Sequence, residues 1–407
     1  MERKLTKLYD STDGHSGLPK WFKTAALVLK NIKAGSLIIQ IPDKRRFLFS
    51  SKNEGPKGIL IIEHKDFFTR ILREGENGFS ESYMDEWWDT PDLLELLDFM
   101  LVNKIEVEGS LPGAGLVRLY ERFIHWFRSN TKRQARKNIS AHYDLGNKFY
   151  EKWLDSTMTY SSALFDKKTK NLKQAQINKY SRICDRLQLK PGDDVLEIGC
   201  GWGGFMEHAI KASNVNIKGL TISKKQYDYA KQRLKESGLG DNGTVALQDY
   251  RDEKGLYDAI VSIEMFEAVG EKYWPDYFST LARSLKSGAR ATLQIITISD
   301  ELFPEYRKSV DFIQKYIFPG GMLPCERVLR ERFEAAGLKK IDQKEFGKSY
   351  SKTLRIWHKN FNSVWNEISS QEFDERFRRM WNFYLASCAA FFESGTGNVV
   401  QLTLQKD

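Results

Sequence analysis

The chain has 407 residues, of which 41% are apolar, and 63 Lys and Arg stand against 54 Asp and Glu for a formal charge of +9. That size supports a full hydrophobic core in two domains, and the basic balance favours anionic partners, either nucleic acid or the phosphates of a membrane surface. No run of about eighteen apolar residues occurs, the start MERKLTKLYD lacks a signal-peptide core, and four scattered cysteines show no metal or disulfide spacing, so a cytoplasmic chain without a metal is expected.

In chain order, Ala25 to Leu29, Ser36 to Ile41, Arg46 to Phe49 and Ile59 to Ile62 read as short apolar strands between Gly, Pro and charged breaks. From Ser82 to about Asn103 the pattern is helical, with Thr90 and Pro91 expected as N-cap and first-turn residue of a second helix. Residues 1–115 therefore form a small α+β module. Residues 116–140 follow as a basic amphipathic linker, in which Leu119, Phe123, Trp126 and Phe127 recur at helical spacing beside Arg118, Arg122, Arg128, Lys132, Arg133, Arg136 and Lys137. Such a segment suits an anionic membrane or serves as a solvated interdomain helix. No RNA-binding signature, zinc finger or repeat accompanies the charge, so nucleic acid is not expected.

Residues 141–407 alternate strand and helix like an open, doubly wound α/β sheet. Its strand candidates are Asp194 to Ile198, Asn216 to Thr221, Thr244 to Leu247, Ala259 to Val261 and Ala291 to Ile296, with Leu338 to Phe346 and Val399 to Gln405 as an edge pair. The most informative stretch is VLEIGCGWGGF, residues 195–205, where an apolar strand enters a glycine turn and then a helix. Gly199, Gly201 and Gly203 supply open backbone angles and close approach, and the following helix start offers free N–H groups to an anion. There is no Gly-Lys-Ser/Thr ending, and the second strand lacks the acidic residue of a dinucleotide site. Glu197 before the turn, Thr221 and Gln226 after the second strand and the acidic LQDYRD after the third suit an adenosyl amino acid better than NAD.

Seven motifs in order, AHYDLGNKFYEKWLDSTMTYSSALF, LEIGCGWGGF, GLTIS with Gln226, LQDYRD, IEMFEAVG, YIFPGGMLP and RMWNFYLASC, resemble the cyclopropane fatty acid synthase and mycolic acid methyltransferase family. The resemblance covers 141–407, and the N-terminal module resembles the extra domain of the longer bacterial synthases. It implies a Rossmann-like, seven-stranded methyltransferase with an apolar tunnel. It also implies S-adenosylmethionine as cofactor and unsaturated phospholipid acyl chains as substrate, with peripheral attachment at the inner face of the membrane and room for a homodimer. By motif, Tyr160 and Ser161 would touch the cofactor, with Gly199, Gly201, Trp202 and Gly203 around its amino acid end, and Glu197 at the strand end is close enough to hold a polar ligand group. Thr221 and Gln226 would flank the ribose, and Gln248 and Asp249 the adenine.

An alkene is a poor nucleophile, so such a site must exclude water and aim the sulfonium methyl at the π bond, leaving a carbocation that aromatic faces stabilise. Tyr160, Phe266, Tyr316 and Tyr350 are the candidate aromatics. In ring-closing relatives the base is a bicarbonate, and the matching positions here read Ser162, Glu267, Gln294, Ile296 and Tyr350. Ser162 and Gln294 stand for a Cys and a His, and Ala268 for a second His, which puts ring closure in question against a methyl- or methylene-branched product. Glu267 is the leading catalytic candidate, Glu264 one turn away is expected to be structural, and His142 and Tyr143 are expected to position other groups.

Overall fold

A computed structural model describes residues 7–103, 145–370 and 373–407. The basic linker, His142 and Tyr143 lie outside them. The described chain divides into two compact units. The first holds the N-terminal residues together with 309–312 and the stretch from Trp365 to Ser394, so a segment near the C-terminus belongs to the N-terminal unit. The second holds residues 145–308, 313–364 and 395–407.

In the first unit, β1 (Leu8–Tyr9), β2 (Ser36–Gln40), β3 (Arg46–Ser50), β4 (Lys57–Ile62) and β5 (Trp88–Asp89) form one mixed sheet in the order β1-β3-β2-β4-β5. Residues Ala25 to Leu29, expected as a strand, are instead the end of the helix Phe22–Leu29. Phe22, Ala26 and Leu29 are buried at helical spacing while Leu27 is 61% exposed, so the contacts of the apolar run select period 3.6 over period 2. A second difference concerns the Trp pair: Trp88 is in β5, and the next helix, Leu93–Val102, is capped by Asp92 accepting from the Glu95 N–H at 3.0 Å rather than by Thr90. The Asp92 carboxylate thereby satisfies one free N–H of the first turn, while the Glu95 carboxylate accepts the Lys57 N–H of β4 at 2.8 Å. The helix Glu375–Glu393 packs on this helix and on Phe67–Met84. Its buried Arg379 donates to the carbonyls of Tyr83 and Trp88 at 2.5 and 2.8 Å.

The second unit is a seven-stranded sheet ordered β11-β12-β10-β9-β6-β7-β8. Its strands are β6 (Asp194–Ile198), β7 (Asn216–Thr221), β8 (Gly243–Leu247), β9 (Tyr257–Ile263), β10 (Leu285–Ile298), β11 (Leu338–Glu345) and β12 (Gly397–Lys406). The pairs β6–β7, β7–β8, β6–β9 and β9–β10 are parallel, while β12 runs antiparallel to both β10 and β11. This is the expected Rossmann-like arrangement with a hairpin-like edge. Strands buried on both faces read as continuous apolar runs, as VLEI and AIVSI do. Ile183, Val195, Met206, Ile210, Ile217 and Val261 belong to one buried cluster between sheet and helices. The order β9-β6-β7 is where the strand sequence reverses, and a crevice at the carboxyl ends of the strands is the general ligand position of such sheets.

Candidate active site

At the carboxyl end of β6 the chain turns through Gly199, Gly201 and Gly203, all left-handed at φ 82°, 53° and 80°. A side chain is strained there, and at Gly199 space forbids one as well: a Cβ would lie 2.7 Å from Met265 Cγ. The glycine turn therefore lies directly on the segment that follows β9. Gly203 begins the helix Gly204–Ser213 without any side-chain cap, so its first-turn N–H groups are open to an anionic group. Arg233 braces the turn from the side by donating to the carbonyls of Thr157 and Trp202 at 2.8 and 3.4 Å.

Glu197, the last carboxylate of β6 before the turn, is 2% exposed, and burial pushes it up to about 8, opposed by Lys179 and Arg233. Its Oε2 has no hydrogen-bond partner among the described residues. A buried carboxyl oxygen left open beside a glycine turn is costly, and it fits a polar ligand that supplies the missing hydrogen bond. This observation makes the residues compatible with S-adenosylmethionine. On the next strand Thr221 donates to Gln226 at 2.9 Å, which fixes both side chains at the end of β7. Gln248 is tied back to Thr221 through its backbone and donates its side-chain amide to Glu253 at 3.1 Å. The Asp249 carboxylate is committed to Arg251 at 2.7 Å. All four expected residues thus stand on the carboxyl edge of the sheet, but Asp249 presents a neutralised ion pair rather than a bare charge.

An aromatic wall runs from the glycine turn across the site. The Trp202 indole N–H donates to Asn147 Oδ1 at 2.9 Å, and its ring meets Tyr150 at 5.0 Å. Tyr160 lies 5.3 Å from Tyr150, 5.8 Å from Trp153 and 5.3 Å from Trp357, and Trp357 meets Tyr350 edge-on at 6.1 Å. Ring faces of this kind attract a cation without hydrating it. Phe266 is not part of this wall: it stacks on Trp274 at 5.3 Å and packs on Tyr277 and Phe278 in the core.

Beyond the wall, four of the expected acid-site residues gather around two carboxyls. Glu267 accepts the Ile296 N–H at 2.5 Å, while its Oε2 has no hydrogen-bond partner among the described residues. Burial, reinforced by the nearby Glu264, pushes Glu267 up to about 8. Its own carbonyl accepts the Met322 N–H at 2.9 Å, which is how the YIFPGGMLP segment is fastened to the site. Glu264, expected from sequence to be structural, is the hub of this end of the site. It accepts the Ser162 N–H at 2.8 Å and the Gln294 side-chain amide at 2.7 Å, and it is hydrogen-bonded to Tyr350. Gln294 also donates to the Ser162 carbonyl at 3.1 Å and accepts from Gln401 at 3.1 Å, which settles its place in β10 opposite Ile263 and Gln401.

Lys179 is the residue not anticipated. It is fully buried, donates to Ser161 Oγ at 2.7 Å, and faces Glu264 and Glu197. Burial pulls it down to about 7, opposed most by Glu264, while burial raises Glu264, opposed most by Lys179. The two are held as a mutually dependent pair. A signal was present in the sequence: Leu172, Ala175, Gln176, Lys179, Ile183 and Leu187 share the buried face of the helix Leu172–Leu187, and a lysine at such a position needs a buried partner.

A family model described as mycolic acid cyclopropane synthetase matches residues 130–402. The chain is 37% identical over 366 residues to a cyclopropane-fatty-acyl-phospholipid synthase of Escherichia coli, covering 88% of this chain and 92% of that protein. It is 36% identical over 368 residues to a tuberculostearic acid methyltransferase of Mycobacterium tuberculosis, covering 86% and 83% respectively. Among solved structures, a mycolic acid cyclopropane synthase complexed with S-adenosylhomocysteine and CTAB superposes with a TM-score of 0.63 at 32% identity, covering 67% of this chain and 98% of that one.

Proposed function

Because the chain belongs to the mycolic acid cyclopropane synthetase family, we propose that it transfers a one-carbon unit from S-adenosylmethionine to the cis double bond of an unsaturated phospholipid acyl chain. It is an S-adenosylmethionine-dependent methyltransferase of the cyclopropane-fatty-acyl-phospholipid synthase type. The observation that carries the reading is the continuity of the site. The glycine turn with its open Glu197 packs at Gly199 against Met265, between Glu264 and Glu267, while Trp202 of the same turn meets Tyr150, which in turn meets Tyr160.

Tyr160, Ser161, Glu197, Gly199, Gly201, Trp202, Gly203, Thr221, Gln226, Gln248 and Asp249 hold the cofactor in this reading, and the cofactor supplies an electrophilic methyl group when bound. Tyr160 and Trp357 shield the reacting centre from water and present π faces to the cation that develops on the acyl chain. Glu267, Tyr350, Ser162, Gln294 and the Ile296 backbone form the end of the site where the surplus proton leaves. Bicarbonate does not fit that end well, since Ser162, Gln294, Tyr350 and Ile296 already donate to the two glutamates. No step is routed through it.

A second reading has its own support. The replacements at Ser162, Gln294 and Ala268, together with the similarity to a tuberculostearic acid methyltransferase, favour a methyl- or methylene-branched product over a ring. Incubation with labelled S-adenosylmethionine and vesicles of unsaturated phospholipid is expected to label the acyl chains. Label confined to a headgroup or a soluble metabolite would overturn the assignment, and fragmentation mass spectrometry of the labelled chains separates ring from branch.

The approach to lipid is assigned to the basic segment 116–140 on its sequence alone, at an anionic surface such as the inner face of the membrane. No helix among the described residues is long and apolar enough to cross a membrane. Charge reversal at Arg133, Arg136 and Lys137 is expected to weaken binding to anionic vesicles in a salt-sensitive manner, and unchanged binding would refute this role. A homodimer is compatible with this reading, and sedimentation at micromolar concentration tests it.

A further inference from the structure

Methyl transfer to an alkene leaves a carbocation, which becomes a stable product only when a proton departs to a nearby base. Three of the positions matched to the bicarbonate seat of ring-closing relatives, Ser162, Gln294 and Tyr350, converge here on a side chain of the protein itself. The Ser162 N–H and the Gln294 amide donate to one oxygen of Glu264, and Tyr350 is hydrogen-bonded to the same carboxyl group. Glu264 follows β9 with φ 48°, a left-handed conformation that strains a non-glycine residue. Such strain persists where the surroundings over-determine it, and here three donors, the Gln294 carbonyl on its N–H at 2.8 Å and the facing Lys179 do so. Glu267, the neighbouring carboxyl, keeps an oxygen without a hydrogen-bond partner among the described residues.

We propose that the Glu264 carboxylate is a built-in replacement for bicarbonate, seated on Ser162, Gln294 and Tyr350, and that it accepts the proton lost from the methylated acyl chain. This rests on the methyl-transfer reading above. The step balances as follows: the alkene π pair forms the new C–C bond as the S–CH3 pair returns to sulfur, giving S-adenosylhomocysteine and a cation. A C–H pair of that cation then closes the ring or forms a new double bond, and the released proton bonds to Glu264. The carboxylic acid gives the proton to solvent before the next turnover. A strong base is unnecessary, because a carbocation is a far stronger acid than any carboxylic acid. What the site must provide is a fixed carboxylate close to the cation, and Lys179 and the three donors oppose the rise that burial imposes on Glu264.

The test compares the unaltered enzyme with Glu264→Gly in buffers freed of carbon dioxide and in the same buffers with added bicarbonate or formate. Glycine suits the left-handed position, so this variant relieves strain while opening the seat. The unaltered enzyme is expected to keep its rate within about twofold without bicarbonate. The variant should fall by about 100-fold and regain about tenfold with either anion in a saturable way, as expected for loss and rescue of a general base. In a separate measurement without cofactor, 13C-bicarbonate should show bound-state broadening with the variant and not with the unaltered protein. A large loss of unaltered activity on bicarbonate removal, an undiminished variant, or a variant that binds S-adenosylhomocysteine normally yet responds to neither anion would overturn the proposal. Failure of the unaltered enzyme to label acyl chains under any of these conditions overturns the methyl-transfer reading itself.

Discussion

The buried pair behind the aromatic wall gives a sharp test of how the site is held together. Lys179 has no exposed surface, donates to Ser161 at 2.7 Å and opposes Glu264, which accepts three further hydrogen bonds. Replacing it as Lys179→Met keeps most of the length of the side chain and removes the charge. The methionine recovers part of the lysine's own desolvation cost, but Glu264 is left as an uncompensated buried anion. Breaking one side of a buried pair costs about 3–5 kcal/mol. For a unit of this size that corresponds to a drop in melting temperature on the order of 10 °C. Glu264 then moves further above the carboxylate range, so the loss should shrink as the pH is lowered and the proton is supplied. Thermal denaturation of Lys179→Met, Glu264→Gln and the double variant closes a cycle in which the double variant recovers most of the loss. A coupling energy of at least about 1 kcal/mol is expected for residues in one network. A coupling below about 0.5 kcal/mol, or a cost that does not change with pH, would refute the pairing.

Gly199→Ala forces a Cβ to within 2.7 Å of Met265 Cγ at φ 82°, so it should weaken S-adenosylhomocysteine binding by about tenfold or more in calorimetry. Gly192→Ala, equally left-handed at φ 86° but facing open space, should leave that affinity unchanged. Glu267 is raised from 4.5 to about 8, so its neutral form stabilises the fold fully below 4.5 and that contribution is lost as pH rises through 8. Between those values the unaltered protein should lose stability relative to Glu267→Gln by at most about 1.4 kcal/mol per pH unit, measured by denaturation in a pH series. In the N-terminal unit, Arg379→Leu removes charge-assisted hydrogen bonds, each worth about 1.5–3 kcal/mol, to the carbonyls of Trp88 and of Tyr83, the latter keeping the Glu86 N–H at 3.2 Å, and removes a guanidinium 3.9 Å over the Tyr83 ring. Limited proteolysis should then cut residues 7–103 faster while residues 145–308 stay protected.

Much of the second unit was legible because its signals are local. An apolar strand, a glycine turn and a helix start specify one another within eleven residues, and Gly199, Gly201 and Gly203 of VLEIGCGWGGF take the left-handed angle their lack of a Cβ permits. The parallel strands followed from their unbroken apolar runs, and the antiparallel edge from the two strands left over at the end. The short apolar runs of the first unit were less decisive. AALVL suits either period, and only burial of Ala26 and Leu29 with Leu27 outside made it a helix.

What sequence alone determined was a list of candidate groups: the turn, Glu197, Tyr160, Ser162 and Glu267 sit in recognisable motifs, while Gln294, Ile296 and Tyr350 were named only by matching positions to the family. What only the tertiary structure decided was how those groups spend their hydrogen bonds. Glu264 and Lys179 are 85 positions apart, and nothing within either segment states that one neutralises the other; folding β9 against the helix Leu172–Leu187 does. A buried charge is tolerable only beside its partner, and that partnership is a property of packing between distant segments rather than of any window of residues.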